Sequence, residues 1–289
     1  MAITAAMVKE LREMTGAGMM DCKKALTASD GDMDKAVEWL REKGMAASAK
    51  KAGRIAAEGM AYAAVIDGVG VVVEVNAETD FVGKNEKFVD FVKGVAATVA
   101  KEAPADLDAL MECKYNGTDL TVTQQQQEMV LVIGENIKVR RFARFEGGTS
   151  VAYVHAGGKI GVLVDVETDV VNDAIKEMAK NVAMQAAALK PLYTNDSEVD
   201  ADYIAKEKEI LTVAAKNEKP DANDKIINGM VMGRIKKELK EICLLDQVYV
   251  KAEDGKQSVA QYVAQVAKEN GAKITVKKFV RFETGEGIE

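Results

Sequence analysis

A thirteen-residue segment occurs twice in this chain and constrains its fold more than any other feature. Residues 134–146 read Gly-Glu-Asn-Ile-Lys-Val-Arg-Arg-Phe-Ala-Arg-Phe-Glu, and residues 271–283 read Gly-Ala-Lys-Ile-Thr-Val-Lys-Lys-Phe-Val-Arg-Phe-Glu. Seven of the thirteen positions are identical, and two more exchange arginine for lysine. Each copy follows a predicted helix and has the composition of a strand. The repeat therefore predicts two related α+β subdomains.

Side chains alternate between the two faces of a strand, so the first copy predicts which residues share a face. One face would carry Val139, Arg141, Ala143 and Phe145, and the other Arg140, Phe142 and Arg144. Because both faces mix apolar and charged residues, we expect antiparallel sheets that are covered by helices on one side only.

A predicted β-hairpin precedes each copy of the repeat. Residues 59–66 and 70–75 are joined by Asp67-Gly68, and residues 149–155 and 160–166 are joined by Gly157-Gly158. Helices are predicted after each hairpin, and the first carries an apolar face at helical spacing. That face consists of Phe88, Phe91, Val92, Val95 and Val99.

Two further helical regions are predicted outside this repeated pattern. Three short helices, the first capped by Thr4 and the third ending at Gly44, precede a basic linker that contains Lys50, Lys51 and Arg54. We expect these three basic side chains to be solvated. Residues 200–217 and 223–242 predict an antiparallel helical hairpin inserted in the second subdomain.

These patterns predict four parts of the chain. Residues 1–54 form a three-helix domain with its linker, and residues 55–146 form the first core subdomain. Residues 147–191 and 243–289 form the second core subdomain, and residues 192–242 form the inserted helical hairpin.

Composition and charge limit the class of protein. The chain has 289 residues, a net charge of −7 and no apolar run long enough to span a bilayer, and its N-terminus has no signal-peptide pattern. Cys22, Cys113 and Cys243 are far apart and form no Cys-x-x-Cys, so we expect reduced thiols and a cytoplasmic protein. The negative charge disfavours direct nucleic-acid binding.

The sequence lacks the motifs of an enzyme with its own active site. His155 is the single histidine, which excludes metal sites built on histidine pairs. Phosphate-binding glycine motifs and the G-x-S-x-G nucleophile motif are also absent. We therefore expect no covalent chemistry, no cofactor and no metal.

The segment Thr79-Asp80-Phe81-Val82 lies at the turn from a predicted buried strand to a predicted helix. Loops in such places lie at the surface and are positioned by rigid neighbours. The residues alone leave two alternatives open for Phe81, since its ring can fill the core or point outward at a partner.

Four segments, in order along the chain, resemble bacterial translation elongation factor Ts. Residues 11–26 resemble its first signature, residues 76–82 its second, and residues 133–137 and 281–287 match further stretches of the family. The resemblance implies a guanine-nucleotide exchange factor that binds elongation factor Tu·GDP and promotes GDP release during translation elongation. It also implies a ubiquitin-associated-like N-terminal domain and dimerisation through the helical hairpin.

The resemblance further implies which residues contact elongation factor Tu. Asp80 and Phe81 would enter near its magnesium and phosphate site, accompanied by Thr79 and Val82. The remaining implied contacts are Arg12, Met19, Met20, Lys23, Ile133, Gly134, His155, Val250 and Lys251. A non-catalytic scaffold or chaperone that holds a partner through its helical parts is the alternative function.

Overall fold

The computed structural model describes residues 3–289, and these residues form an α+β fold, as the sequence predicted. The α-helices are α1 Ala5–Thr15, α2 Met19–Ala28, α3 Met33–Lys51, α4 Glu86–Glu102, α5 Leu107–Glu112, α6 Val122–Ile133, α7 Asp173–Leu189, α8 Ala201–Glu218, α9 Asp224–Ile242 and α10 Val259–Glu269. The strands are β1 Glu58–Ile66, β2 Val69–Ala77, β3 Lys138–Phe145, β4 Thr149–His155, β5 Ile160–Thr168 and β6 Ile274–Glu283. Short 3-10 helices span Val82–Lys84 and Asp196–Glu198.

The strands form two small antiparallel sheets with the same order of elements. The first has the order β1-β2-β3 and the second the order β4-β5-β6. In each sheet a hairpin is followed by helices, and the strand from the thirteen-residue repeat then returns to the edge. The repeated organisation predicted from the sequence is confirmed.

The chain divides into two compact units. The first contains the residues up to Glu146 together with residues 154–161 and 282–289, and the second contains residues 147–153 and 162–281. The finer division into a three-helix domain, two core subdomains and an inserted hairpin remains a prediction.

In the first unit, β2 and α4 form most of the core. Val71, Val73 and Val75 pack with Phe88 and Phe91, and all five side chains are buried. The apolar face predicted for this helix is therefore confirmed. Asn85 caps the start of this helix, and its Oδ1 accepts hydrogen bonds from the N–H groups of Lys87 at 3.0 Å and Phe88 at 3.4 Å.

The prediction that side chains alternate strictly between the two faces of β3 was wrong. The register pairs Glu74 with Arg141 and Val75 with Val139, so a β-bulge leaves Arg140 without an opposite residue on β2. The bulge lets Arg140 and Arg141 both reach the Glu74 carboxylate, at 2.9 Å and 2.5 Å. Glu74 is fully buried. The face of β2 that carries Glu74 is therefore covered, as is the face that carries Val71, Val73 and Val75.

The prediction that the third helix ends at Gly44 was also wrong, because α3 continues to Lys51. Gly44 is buried where α3 packs on α6, and a Cβ there would lie 3.1 Å from the carbonyl oxygen of Gln127. The glycine therefore permits close helix packing and does not end the helix.

In the second unit, α8 and α9 share a small apolar core made by Ala215, Ile227, Val231 and Ile235. Their role in dimerisation, and the ubiquitin-associated-like nature of α1 to α3, remain predictions. Cys22, Cys113 and Cys243 are free thiols. Within residues 3–289, every helix is too short or too polar to cross a membrane.

Candidate functional site

The segment between β2 and α4 is a short loop with fixed ends. Val82 is 6% exposed and packs in the core of the first unit. Gly83 lies against β1, where a Cβ would come within 2.7 Å of the carbonyl oxygen of Gly59. Asn85 then caps α4. The backbone that follows Phe81 is thus held by burial, by close packing and by a helix cap.

The Phe81 side chain points outward from this fixed loop. It is 79% exposed, the largest fraction among the exposed large apolar side chains of the described residues. Thr79 and Asp80 are exposed beside it. Of the two alternatives that the sequence left open, the outward orientation is therefore the one adopted, whereas contact with a partner remains a prediction.

The structure joins the Phe81 loop to the turn that contains Ile133 and Gly134. Glu135, the next residue, accepts hydrogen bonds from the backbone N–H groups of Glu78 and Thr79, both at 3.0 Å. Gly134 is the exposed C-cap of α6, and Ile133 is half-buried. These predicted contact residues are therefore neighbours of the loop.

The turn that follows His155 is anchored to β1. The N–H of Ala61 donates to the carbonyl oxygen of Gly158 at 2.7 Å, and the Lys159 ammonium pairs with the Glu58 carboxylate. His155 is the last residue of β4 and is exposed. Since Gly83 packs on Gly59 of the same strand, the loop and this turn are both held by the first residues of β1.

Four predicted contact residues of the N-terminal helices line one groove. Arg12, Met19, Met20 and Lys23 surround a cavity of about 630 Å³ between α1 and α2. The two methionines are 60% and 64% exposed, and methionine adapts readily to irregular apolar partners. The groove therefore combines a flexible apolar surface with three positive charges, because Lys9 lines it together with Arg12 and Lys23.

Val250 and Lys251 lie in the second unit, between α9 and α10. The Val250 N–H donates to Gln185 Oε1 at 2.9 Å, and the Lys251 ammonium donates to Asn181 Oδ1 at 2.7 Å. Nearby, Tyr249 and Tyr262 stack with ring centroids 4.2 Å apart. Burial, together with the hydrogen bond to Tyr262, raises the pKa of Tyr249 above its ordinary value.

Sequence reasoning missed three residues that hold the loop. Glu78 and Glu135 flank the predicted contacts, and Arg54, which was expected to be solvated, lies 3.3 Å from Glu78. Glu78 and Glu135 belong to two of the segments that resemble the family's motifs. Their closeness in sequence to Phe81 and Gly134 was the signal that could have identified them. The distance between residues 78 and 135 along the chain concealed their pairing.

Across residues 3–289, no group of three or more His, Cys, Asp or Glu side chains is arranged to hold a metal ion. What the first unit presents instead is an exposed aromatic ring on a fixed loop and a separate basic and apolar groove. Such an arrangement is typical of a protein that acts through contacts with another macromolecule.

Comparison with known proteins gives the family. The family model described as "Elongation factor TS" matches residues 78–286. Proteins named elongation factor Ts are similar over nearly the whole chain. The one from Clostridium perfringens (strain 13 / Type A) is 52% identical, with 99% of this chain and 94% of the relative aligned. The one from Clostridioides difficile (strain 630) is also 52% identical, with the same coverage. The one from Syntrophotalea carbinolica is 48% identical, with 100% and 95% aligned.

These similarities define a translation elongation factor, with a role in protein biosynthesis. The chain belongs to the elongation factor Ts family.

Proposed function

We propose that this chain is a guanine-nucleotide exchange factor that binds elongation factor Tu in its GDP-bound and nucleotide-free forms. It speeds GDP release without covalent chemistry of its own, in the cytoplasm and without binding nucleic acid or membranes. The observation that supports this proposal most directly is Phe81, which is 79% exposed on a loop with fixed ends. Membership of the elongation factor Ts family supplies the partner.

Phe81 acts as a wedge in the proposed mechanism. A phenyl ring that leaves water for an apolar site gains about 2 kcal/mol. If the ring fits only when the helices of elongation factor Tu have shifted, this gain favours the shifted form. The shift displaces the groups that hold Mg²⁺ and the phosphates, so GDP binds less tightly. By thermodynamic linkage, GDP weakens binding of the exchange factor by the same factor.

Asp80 adds a negative charge beside the wedge. Its exposed carboxylate either repels the phosphates of GDP or disturbs the water shell of the magnesium ion. Val82 has a different part, since its burial fixes the loop and leaves little surface for direct contact. Thr79, Ile133, Gly134 and His155 extend the proposed contact surface around the ring.

Two other surfaces would hold the partner at a distance from the nucleotide. We assign the groove of Arg12, Met19, Met20 and Lys23 to the nucleotide-binding domain of elongation factor Tu. Val250 and Lys251 provide a further contact from the second unit. Binding energy gained at such remote contacts helps to offset the cost of distorting the nucleotide site.

Release of a fluorescent GDP from elongation factor Tu tests the proposal. Excess unlabelled GDP is mixed with the loaded complex in a stopped-flow instrument, with this chain present in substoichiometric amounts. We expect every loaded complex to release its nucleotide faster than it does alone, because each molecule of the chain acts repeatedly.

A rate equal to the spontaneous one would reject exchange activity. If the chain then bound elongation factor Tu with 1:1 stoichiometry, the scaffold alternative would account for it. Added RNA that competes with elongation factor Tu would contradict the proposal that nucleic acid is not a partner.

We also propose that α8 and α9 mediate self-association. Ile210, Val213, Ile226 and Met232 are about half exposed or more on these two helices. Sedimentation equilibrium at tens of micromolar is expected to show dimers, and Val213→Glu to shift the equilibrium toward monomers by placing a charge in the contact. Monomers alone for the unmodified chain would contradict this proposal.

A further inference from the structure

Glu135 holds the residues immediately before Asp80 and Phe81. Its Oε2 accepts hydrogen bonds from the N–H groups of Glu78 and Thr79, both at 3.0 Å. Its Oε1 accepts the hydroxyl hydrogen bond of Thr79 at 2.7 Å. A carboxylate that accepts three hydrogen bonds is a strong restraint, because bonds to a charged acceptor are stronger than those between neutral groups.

Glu78 makes the reverse connection. Its Oε1 accepts the backbone N–H of Asn136 at 2.6 Å and lies 3.3 Å from Arg54 Nη1. Asn136 is 6% exposed and donates from Nδ2 to the carbonyl oxygen of Arg54 at 2.8 Å. Two segments that are far apart in sequence therefore exchange carboxylates, each with the backbone of the other. We call this arrangement, made by Glu78 and Glu135, the carboxylate clamp.

The clamp is placed where it controls the orientation of the wedge. Phe81 is two residues beyond Thr79, and its ring is too exposed for packing to fix its direction. Val82, Gly83 and Asn85 hold the backbone on the far side of the ring. On the near side, Glu135 accepts the hydrogen bonds of the Glu78 and Thr79 backbone and of the Thr79 hydroxyl. The Glu78 side chain adds one bond to the same turn, through the N–H of Asn136.

We infer that Glu135 is a positioning residue for nucleotide exchange. It fixes Phe81 in its outward orientation before the partner arrives, and it joins the loop to Ile133 and Gly134 as one rigid surface. Pre-organisation of this kind raises affinity by removing the cost of ordering a loop on binding. The inference deepens the proposed exchange function and rests on it.

The first test separates affinity from turnover. In Glu135→Ala the loop is in the competent orientation for only part of the time, and apparent affinity falls in proportion to that fraction. We expect KM for elongation factor Tu·GDP to rise roughly 10-fold with kcat nearly unchanged. Glu135→Gln keeps one acceptor for the two N–H groups and donates its amide to the Thr79 hydroxyl, so it should restore most of the loss.

Glu112→Ala is the matched control, since Glu112 is exposed near the end of α5 in the same unit. A rise in KM that is equal for Glu112→Ala and Glu135→Ala would overturn the inference. So would a failure of Glu135→Gln to bind better than Glu135→Ala.

A double-mutant cycle with Phe81→Ala tests whether Glu135 acts through the ring. If Glu135 acts mainly by orienting the ring, its removal matters little once the ring is gone, so adding Glu135→Ala to Phe81→Ala should cause little further loss. Losses that simply multiply would show that Glu135 acts independently of Phe81 and would overturn the inference.

Amide hydrogen exchange tests the clamp without elongation factor Tu. The peptide that covers residues 78–81 should exchange faster in Glu135→Ala than in Glu135→Gln, while peptides from α4 remain unchanged. Unchanged protection of residues 78–81 would overturn the clamp itself. If the unmodified chain failed to speed GDP release from elongation factor Tu while amide protection of residues 78–81 changed as expected in the variants, the proposed function would be wrong and the clamp would stand.

Discussion

Replacing Phe81 with alanine is expected to lower kcat/KM for catalysed GDP release by on the order of 100-fold, the loss typical of an aromatic residue at the centre of an interface. The ring is 79% exposed, so its removal takes away almost no packing within the chain. The loss should therefore appear in exchange and not in the stability of the fold. Stopped-flow release of fluorescent GDP measures the first quantity, and thermal unfolding measures the second.

Val65→Ala is a suitable control for this substitution. Val65 is an apolar side chain on β1 in the same unit, 44% exposed, at the opposite end of the hairpin from the Phe81 loop. Its replacement should leave the release rate unchanged. An exchange rate in Phe81→Ala equal to that of the unmodified chain would remove the ring from the mechanism.

A phenylalanine-to-leucine change separates burial of apolar area from the shape of the ring. Leucine is apolar but smaller and not planar, so Phe81→Leu should recover part of the lost rate. Full recovery would show that apolar burial is sufficient. No recovery would show that the partner's site requires a flat aromatic ring, for which stacking geometry matters.

The elements were predictable from sequence because their signals are local. The apolar spacing of α4, the Thr4 cap of α1 and the Asp67-Gly68 turn each act within a few residues. The repeat extended this local information to the whole chain, since it required the second subdomain to have the same order of strands and helices as the first.

Gly44 shows where local signals fail. A glycine after a helical pattern commonly ends the helix, but a glycine within a helix also allows a second helix to approach closely. The sequence near Gly44 is compatible with both uses. The contact with Gln127 of α6 decides between them, and that contact depends on how the helices pack.

The site was predictable only in part for the same reason. Phe81 and Gly134 were found through motifs that can be read along the chain. Glu135 receives hydrogen bonds from residues more than fifty positions away, and Arg54 joins the same network from before β1. Such partners become visible only when β2 and the turn after α6 are placed side by side.

Glu74 lies in a strand of valines, and its charge is the most unusual feature of the core. Its carboxylate is fully buried and accepts hydrogen bonds from Arg140 at 2.9 Å, Arg141 at 2.5 Å and the N–H of Gly285 at 2.8 Å. The Arg141 guanidinium also lies over the Phe282 ring, 4.2 Å from its centroid. Glu74 thus fastens the segment after β6 to the first sheet.

Glu74→Gln is expected to destabilise the fold by about 3 kcal/mol at neutral pH, the usual cost of breaking a buried ion pair by removing one partner. The amide cannot accept all of these hydrogen bonds. Arg140 loses the carboxylate it pairs with, and Arg141 keeps only its pair with Glu286 at 3.2 Å. Urea unfolding measures the difference. Glu146→Gln is the control, because Glu146 pairs with Arg144 at the surface and its loss should change the urea midpoint little.

The destabilisation by Glu74→Gln should depend on pH in a defined direction. Burial opposes ionisation of Glu74, but the Gly285 N–H and the side chains of Asn76, Arg141 and Arg140 outweigh it and lower its pKa. A carboxyl group whose pKa is lower in the folded state stabilises the fold above the pKa it has when unfolded, about 4.3 for glutamate. That contribution is lost as the pH falls through the lower pKa of the folded state.

The stability difference between the unmodified chain and Glu74→Gln should therefore be constant from pH 6 to pH 8 and shrink below about pH 4. A difference that grew on acidification would mean that Glu74 is protonated in the native protein and that the two arginines are held by other groups.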